Sequence, residues 1–208
     1  MKRFRFTLIA ICLVLLYLGV NDLLLWFHNR APQAIDISQL EKSGAPQEWL
    51  NVKAGYLDLD RAISTSGSVE IEALLIPLVA HHDQARIRIL VETRAPDLLQ
   101  FFQEYHFFTD TIPEKQAFRS KHAETFRGQR DVTGMLVAGL IARGNQQKLL
   151  KLAKQTGLDV ADDVIFLSEG KEPGRWRGLF FTMVGLLGMT RVLSFKKQES
   201  LPDRGPMR

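Results

Sequence analysis

The chain has 208 residues, 46% hydrophobic and 24% charged, so it is neither of low complexity nor disordered as a whole. Its net charge of +4 comes from the two ends, because residues 28–175 alone carry −2 when counted on the sequence. A nucleic-acid-binding domain would carry positive charge on its folded part, so the charge pattern argues against nucleic acid as a partner. The single cysteine, Cys12, lies in an apolar run and cannot form an internal disulfide.

An apolar run near the start, residues 6–27, predicts a transmembrane helix. At about 1.5 Å per residue the run covers roughly 33 Å, which is enough for a hydrocarbon core of about 30 Å. Basic residues precede it and aromatic residues close it, so residues 1–5 are expected to be a cytoplasmic tail. A cleaved secretory signal shares some of these features, but no small-residue cleavage pattern follows the run. We therefore expect a retained anchor.

A second apolar stretch, residues 176–195, predicts a helix that crosses back to the cytoplasm. Its length is about 30 Å, and the tail that follows, residues 196–208, is basic, as the positive-inside rule expects. The alternative is an amphipathic or buried helix of a soluble domain. The residues expected at the membrane interfaces are Arg3, Arg5, Asp22, Trp26, Trp176, Arg177, Arg191, Lys196 and Lys197.

Two of these charges, Asp22 and Arg191, invite interpretation as an ion pair between the helices, which would suggest a gate or a relay. In an antiparallel hairpin, however, they would differ by about 14 Å in depth. Each side chain is therefore expected to reach water at its own interface.

The segment between the two spans predicts one mostly β domain of the α+β class with two inserted helices. Residues 28–48 contain few large apolar side chains and predict a juxtamembrane linker, and residues 49–175 predict an extracytoplasmic α+β domain. The predicted elements are a strand from Trp49 with a kink at Gly55, a hairpin over 68–80 and 85–93, a helix over 97–108, a loop with a short strand over 109–131, a buried strand over 132–142, a turn at 143–145, a helix over 146–157 and a strand over 164–169.

Acidic and histidine residues supply the candidate chemical groups. Asp58 and Asp60 alternate, which predicts a shared strand face able to serve acid–base chemistry or to bind a cation, although a solvated strand face has the same pattern. The hairpin loop holds His81, His82 and Asp83, the one local cluster of metal-ligand residue types. Adjacent strand residues point to opposite faces and the domain has no cysteine, so a polar loop is the default interpretation.

Aromatic side chains are concentrated in the predicted helix over 97–108. The candidates for a surface that rests on a partner or on the membrane are Phe101, Phe102, Tyr105 and Phe108. Packing in the core is the default interpretation of the same pattern.

The sequence contains no G-x-S-x-G, no Walker loop, no G-x-G-x-x-G and no H-E-x-x-H, so we expect no catalytic residue and no cofactor. The layout of the chain, with two helices flanking a mostly β extracytoplasmic domain, resembles that of the surfeit-like assembly factors of respiratory membranes. The layout favours a non-catalytic scaffold or assembly accessory that docks another membrane or extracytoplasmic protein at the surface of the lipid bilayer.

The alternative function is an extracytoplasmic sensor or enzyme that uses Asp58, Asp60, His81 and His82. In both cases we expect an integral protein of a bacterial inner membrane. Its domain would lie in the periplasm and both termini in the cytoplasm.

Overall fold

The computed structural model describes residues 2–65, 72–137 and 140–198, without the side chains of residues 2–5, 127, 140–145 and 193–198. The chain divides into two compact units, Met1–Arg30 with Pro173–Arg208, and Ala31–Glu172. The helices are α1 (Lys2–His28), α2 (Ile37–Ser43), α3 (Pro96–Phe107), α4 (Ile112–Lys121), α5 (Ala123–Arg127), α6 (Leu140–Gln155) and α7 (Arg175–Gln198), with a 3₁₀ turn at Leu59–Arg61. The strands are β1 (Gln33–Asp36), β2 (Trp49–Leu57), β3 (Ile63–Ser64), β4 (Leu74–Val79), β5 (Ile87–Thr93), β6 (Gln129–Leu136) and β7 (Val160–Glu169).

Five strands of the second unit form a closed barrel. They neighbour one another in the order β2, β6, β7, β5, β4, and β2 pairs with β4 as well as with β6, which closes the cylinder. All of these pairs are antiparallel except β5 with β7, which run parallel. The first barrel strand therefore pairs with the second and the fourth, and the third pairs in parallel with the fifth. This is the connectivity of an OB-fold barrel.

Strand β2 bends at a bulge between Val52 and Gly55, where the sequence predicts a kink. Ala54 adopts a positive φ of 59° within the bulge. Gly55 leaves no room for a side chain, because an added Cβ would lie 2.7 Å from a methyl carbon of Leu78. Beyond the bulge, Tyr56 pairs with β6 on one side and with β4 on the other. The bend thus allows one strand to join both ends of the sheet.

The barrel is filled by apolar side chains. The main cluster includes Leu50, Val52, Ile76, Leu78, Ile89, Val91, Val132 and Leu167. A second cluster, on the opposite face of β4 and β5 beneath α6, includes Leu75, Ile87, Leu90, Ala153, Val160 and Phe166. All six residues of β4 are buried because both faces of the strand are covered, which explains its continuous apolar sequence.

The segment predicted as a linker, 28–48, instead contributes β1 and α2 to the second unit. Strand β1 pairs in parallel with β2, and its Ile35 is buried. Helix α2 begins where the Asp36 carboxylate accepts a 2.8 Å hydrogen bond from the Ser38 backbone N–H, an N-cap that satisfies a free helix-end donor.

The polar segment 109–131, predicted as a loop with a short strand, forms α4 and α5 before β6 begins. Thr111 and Glu114 make a capping box, in which each side chain accepts a hydrogen bond from the other residue's backbone N–H. No residue of α4 is buried, so the helix lacks the apolar periodicity that would have predicted it. Helix α6 also runs through the predicted turn at 143–145. In its described part the domain contains α2 to α6, rather than two helices.

Helices α1 and α7 pack against each other in antiparallel directions within the first unit. Glycine allows the close approach: an added Cβ at Gly19 would lie 2.5 Å from the Thr182 backbone nitrogen, and one at Gly185 would lie 2.7 Å from Leu16. Two further glycines of α7 are equally confined, Gly178 against Leu23 and Gly188 against Cys12. Small residues at a helix interface are typical of packing in membranes.

The outward faces of the same two helices carry large apolar side chains. Among the exposed ones are Leu13, Val14, Tyr17, Leu24, Phe180, Met183, Leu186 and Leu187. By length and composition, Phe6–His28 is a helix able to cross a membrane, and it is the one such helix among the described residues. The side chains of Arg3, Arg5, Lys196 and Lys197, and the predicted tail from residue 199, lie outside the described residues.

The contact between β6 and β7 generates a stability prediction at Gly134. An added Cβ there would overlap the carbonyl oxygen of Ser168, so the two paired strands would have to separate. We expect Gly134→Ala to lower the free energy of unfolding by roughly 2–3 kcal/mol. Gly157→Ala is the matched control, because its φ of 85° strains alanine but nothing lies within 4 Å; its cost should be about 1 kcal/mol. Thermal unfolding of the full-length protein in detergent measures both, and equal costs would contradict the proposed overlap.

Candidate functional site

A cleft in the second unit brings together most of the acidic and histidine residues that the sequence singles out. Its volume is about 600 Å³. It is lined by Asp58, Asp60, His82, Asp83, Arg119, Ser120, Ala123 and Phe126. The residues come from the turn after β2, from the β4–β5 loop and from α4 and α5. Of the predicted cluster, His81 is exposed and does not line the cleft.

The two carboxylates do not lie on a strand face, as the alternating pattern predicts. Strand β2 ends at Leu57, and Asp58 caps the 3₁₀ turn by accepting a hydrogen bond from the Arg61 backbone N–H. The Arg61 side chain also donates to Asp58 at 2.5 Å and to the Gln84 carbonyl at 3.0 Å. Asp58 therefore helps to join the turn to the β4–β5 loop.

Asp60 has a different partner, far away in the sequence. Arg119 of α4 donates to its carboxylate at 2.5 Å and to the Tyr105 hydroxyl at 2.8 Å. The guanidinium also lies 5.5 Å from the centre of the Tyr105 ring. Both carboxylates are thus neutralised by arginines.

The histidine-rich loop does not assemble a metal site in the described residues. His82 packs against Tyr56 with ring centres 4.2 Å apart and the ring planes inclined by 48°, and Asp83 lines the cleft. Within residues 2–65, 72–137 and 140–198, no group of three His, Cys, Asp or Glu side chains is placed to hold a metal ion.

The aromatic residues of α3 divide into a packed set and an exposed set. Phe102 and Tyr105 are buried, and Phe101 packs 5.1–5.3 Å from the rings of Phe118, His122 and Phe126. These side chains fill the space between α3 and the pair α4–α5. They belong to the core rather than to a surface patch.

The corner between α3 and α4 exposes three large apolar side chains, Phe107, Phe108 and Ile112, which are 56%, 78% and 74% exposed. We call this set the α3–α4 corner. Sequence reasoning found Phe108 but missed Ile112, because α4 was not predicted. The S/T-x-x-E pattern Thr111 to Glu114 is the signal that would have placed a helix start there.

Hydrogen bonds order the α3–α4 corner. The Phe108 N–H donates to the Glu104 carbonyl at 3.2 Å, and the Thr109 hydroxyl donates to the Tyr105 carbonyl at 2.5 Å. The Glu114 carboxylate accepts from the backbone N–H groups of Thr111 and Asp110. These hydrogen bonds, with that of Thr111 first, lower the pKa of Glu114, so the cap is ionised near neutral pH.

In the first unit, the sequence predicts that Asp22 reaches water at the interface by itself. The structure shows a different arrangement. It is 7% exposed and accepts two hydrogen bonds from Arg177, at 2.6 and 2.8 Å. Arg191 is exposed, and the observed pair joins the end of α1 to the start of α7. The bidentate geometry is that of a strong, specifically oriented ion pair.

Arginine and aromatic side chains surround this ion pair. The Arg30 guanidinium lies 4.2 Å from the Phe27 ring centre and 6.0 Å from that of Trp26. The Arg175 guanidinium lies 5.1 Å from Trp26 and 5.2 Å from Trp176. We call the four residues Trp26, Arg30, Arg175 and Trp176 the hairpin collar. Sequence reasoning placed both tryptophans at an interface but missed the two arginines.

Comparison of the chain with protein-family models, with curated proteins and with solved structures finds no match.

The aromatic cluster generates a pH prediction. The His106 side chain is largely exposed, and the partial burial that it has beside Phe102 and Tyr105 lowers its pKa; Lys115 lowers the pKa further, while Asp60 acts in the opposite direction. The folded protein therefore favours the neutral ring. The stabilisation is fully present above the unfolded pKa of about 6.5 and is lost as the pH falls through the lowered folded-state pKa.

We expect His106→Gln to flatten the dependence of the melting temperature on pH between about pH 5 and pH 8. His81→Gln, at an exposed loop position, is the control and should keep the wild-type profile. Identical slopes for wild type and His106→Gln would contradict the assignment.

Proposed function

We propose that the protein is an integral membrane protein in which α1 and α7 both cross the bilayer as an antiparallel hairpin. The support is the inverted distribution of side chains. Glycines, Thr182 and the Asp22–Arg177 pair lie between the helices, whereas the large apolar side chains point outward. A water-soluble helix pair buries its large apolar residues, but helices in lipid have no such requirement and pack through small ones.

In this proposal both termini are cytoplasmic and the Ala31–Glu172 unit lies outside, in the periplasm of a bacterial inner membrane. The basic tails at both ends of the chain support this orientation. The two helices then hold the barrel domain at the membrane surface by both of its ends.

The orientation is tested by reporter fusions that are active on one side of the membrane only. Fusions after His28 and Gly170 should report outside, and a fusion at Arg208 should report inside. An outside signal at Arg208 would remove the second span and leave a single anchor, and an inside signal at Gly170 would overturn the orientation of the domain.

We further propose that the protein acts as a non-catalytic scaffold or assembly accessory whose domain docks a partner protein through the α3–α4 corner. The carrying observation is that Phe107, Phe108 and Ile112 are exposed on a corner that its own hydrogen bonds hold in one conformation. Large apolar side chains exposed together mark interaction sites. A rigid presentation reduces the entropy lost on binding, so such residues are efficient anchors.

Docking is tested by replacing Phe108 with photoreactive benzoylphenylalanine in the full-length protein in its native membrane. We expect one defined cross-linked protein from this position, and a roughly tenfold lower yield when Ile112→Ser is added, as for a binding hot spot. Lys121, which is exposed and lies on the opposite face of α4 from Ile112, is the matched control position and should give no such product. The same products from both positions would contradict a specific docking surface.

A second candidate function, a ligand-binding sensor or an enzyme using Asp58, Asp60, His81 and His82, is favoured by the cleft. Three of these four side chains line it, together with Arg119 and Ser120. In this case Asp60→Asn and His82→Ala would abolish the cellular activity and leave cross-linking from position 108 unchanged. Under the scaffold proposal, these two substitutions would leave the cellular activity unchanged, and changes at the α3–α4 corner would abolish it.

A further inference from the structure

We propose that the hairpin collar binds the phosphate of a phospholipid headgroup between Arg30 and Arg175. This inference rests on the proposed membrane hairpin, because it requires α1 and α7 to end together at the level of the headgroups. It adds a ligand and a site that membrane insertion by itself does not require.

The two guanidiniums are held by aromatic rings. Both lie near the Trp26 ring, with the Arg30 guanidinium 6.0 Å and the Arg175 guanidinium 5.1 Å from its centre. Arg30 also lies over Phe27, and Arg175 over Trp176. A guanidinium in cation–π contact with a ring still has N–H groups that can donate to an anion. The distances to the shared indole place the two guanidinium carbons no more than about 11 Å apart.

The arginines around the collar differ in whether a carboxylate neutralises them. Arg177 is neutralised by the buried Asp22. Arg30 and Arg175 pair with no carboxylate in the part of the chain that the structure describes. Two cations held close together repel each other, so an anion between them is stabilising. The planar fork of arginine matches phosphate oxygens with two parallel hydrogen bonds.

The position of the collar indicates a lipid as the source of that phosphate. The apolar run ends at His28, two residues before Arg30, and α7 begins at Arg175. Tryptophan side chains concentrate at the depth of the headgroups. The positive-inside rule does not account for Arg30 and Arg175, because it places excess basic residues at the opposite, cytoplasmic ends. Their location at this end therefore calls for a different reason, which a bound lipid phosphate supplies.

The test uses the full-length protein purified in a mild non-ionic detergent and titrated with phosphatidylglycerol. Tryptophan fluorescence reports binding at the collar through Trp26 and Trp176, and the third tryptophan, Trp49 of β2, contributes a background common to all variants. We expect saturable binding to wild type, and binding about tenfold weaker or more for Arg30→Gln with Arg175→Gln, since each tenfold step corresponds to one charge-assisted interaction. The matched control, Arg86→Gln with Arg94→Gln, removes two exposed arginines of the domain and should bind like wild type.

Three outcomes overturn the proposal. The first is that the collar variant binds phosphatidylglycerol with the same affinity as the wild type. The second is that inorganic phosphate saturates the fluorescence signal at the same concentration, and the third is that native mass spectrometry finds no phospholipid on the wild-type protein. The last measurement needs no variant, so it stands if the double variant fails to fold. Resistance of the wild type to alkaline extraction of membranes tests the hairpin separately. An extracted protein refutes the proposed function, whereas a resistant protein that binds no lipid refutes only the collar.

Discussion

The barrel depends on one strand that pairs on both of its edges. Strand β2 pairs with β6 on both sides of the bulge at Ala54 and Gly55, and beyond the bulge it pairs with β4 as well. The closed barrel removes exposed sheet edges along its wall. Beyond the bulge, the Asp58 N–H donates to the Pro77 carbonyl at 2.9 Å, which fixes where the chain leaves the barrel. The acidic wall of the cleft, formed by Asp58 and Asp60, is therefore positioned by the same bend that closes the sheet.

The chain uses two opposite packing schemes. The barrel buries branched apolar side chains, as in water, whereas the helical hairpin encloses glycines and an ion pair and turns its large side chains outward. A buried carboxylate without a partner would be strongly destabilising, so Asp22 and Arg177 depend on each other. Bidentate pairing also permits only one alignment of α1 on α7, because a shift by one helical turn would separate the two groups by about 5.4 Å. The pair thus fixes which residues of the two helices meet.

Much of the fold follows from local sequence patterns, and the failures have identifiable causes. Alternation of apolar residues predicts β2 and β5, and a continuous apolar run predicts β4. The first hairpin strand was predicted to begin at residue 68, but residues 68–71 lie outside the described residues and β4 begins at Leu74. Helix α4 has no fully buried residue and therefore no clear apolar face; its capping box and the packing of Phe118 against the core hold it in place. Strand β1 was missed because four residues with one buried side chain are too short for a pattern.

The candidate site shows the same limit of local sequence reasoning. Asp58 and Asp60 were found as a pair, but their arginine partners were not, because Asp60 and Arg119 are 59 residues apart in the chain. Ion pairs of this kind depend on how distant segments fold together, and no spacing rule within one segment reports them. The hairpin collar is similar, since Trp26 comes from one end of the chain and Arg175 from the other.

The connectivity of the barrel and its charge give opposite indications about function, and the charge is the more direct. OB-fold barrels include many nucleic-acid-binding domains, but a fold by itself does not specify a ligand. Nucleic-acid affinity depends chiefly on neutralising phosphates with basic side chains, and residues 28–175 carry a net charge of −2. The arginine of the cleft, Arg119, is already paired with Asp60, and Arg61 is paired with Asp58. The features that remain unsatisfied are apolar in the domain, at the α3–α4 corner, and cationic in the hairpin, at the collar. The first is the feature on which the proposed docking of a protein rests, and the second is the feature on which the proposed binding of a lipid phosphate rests.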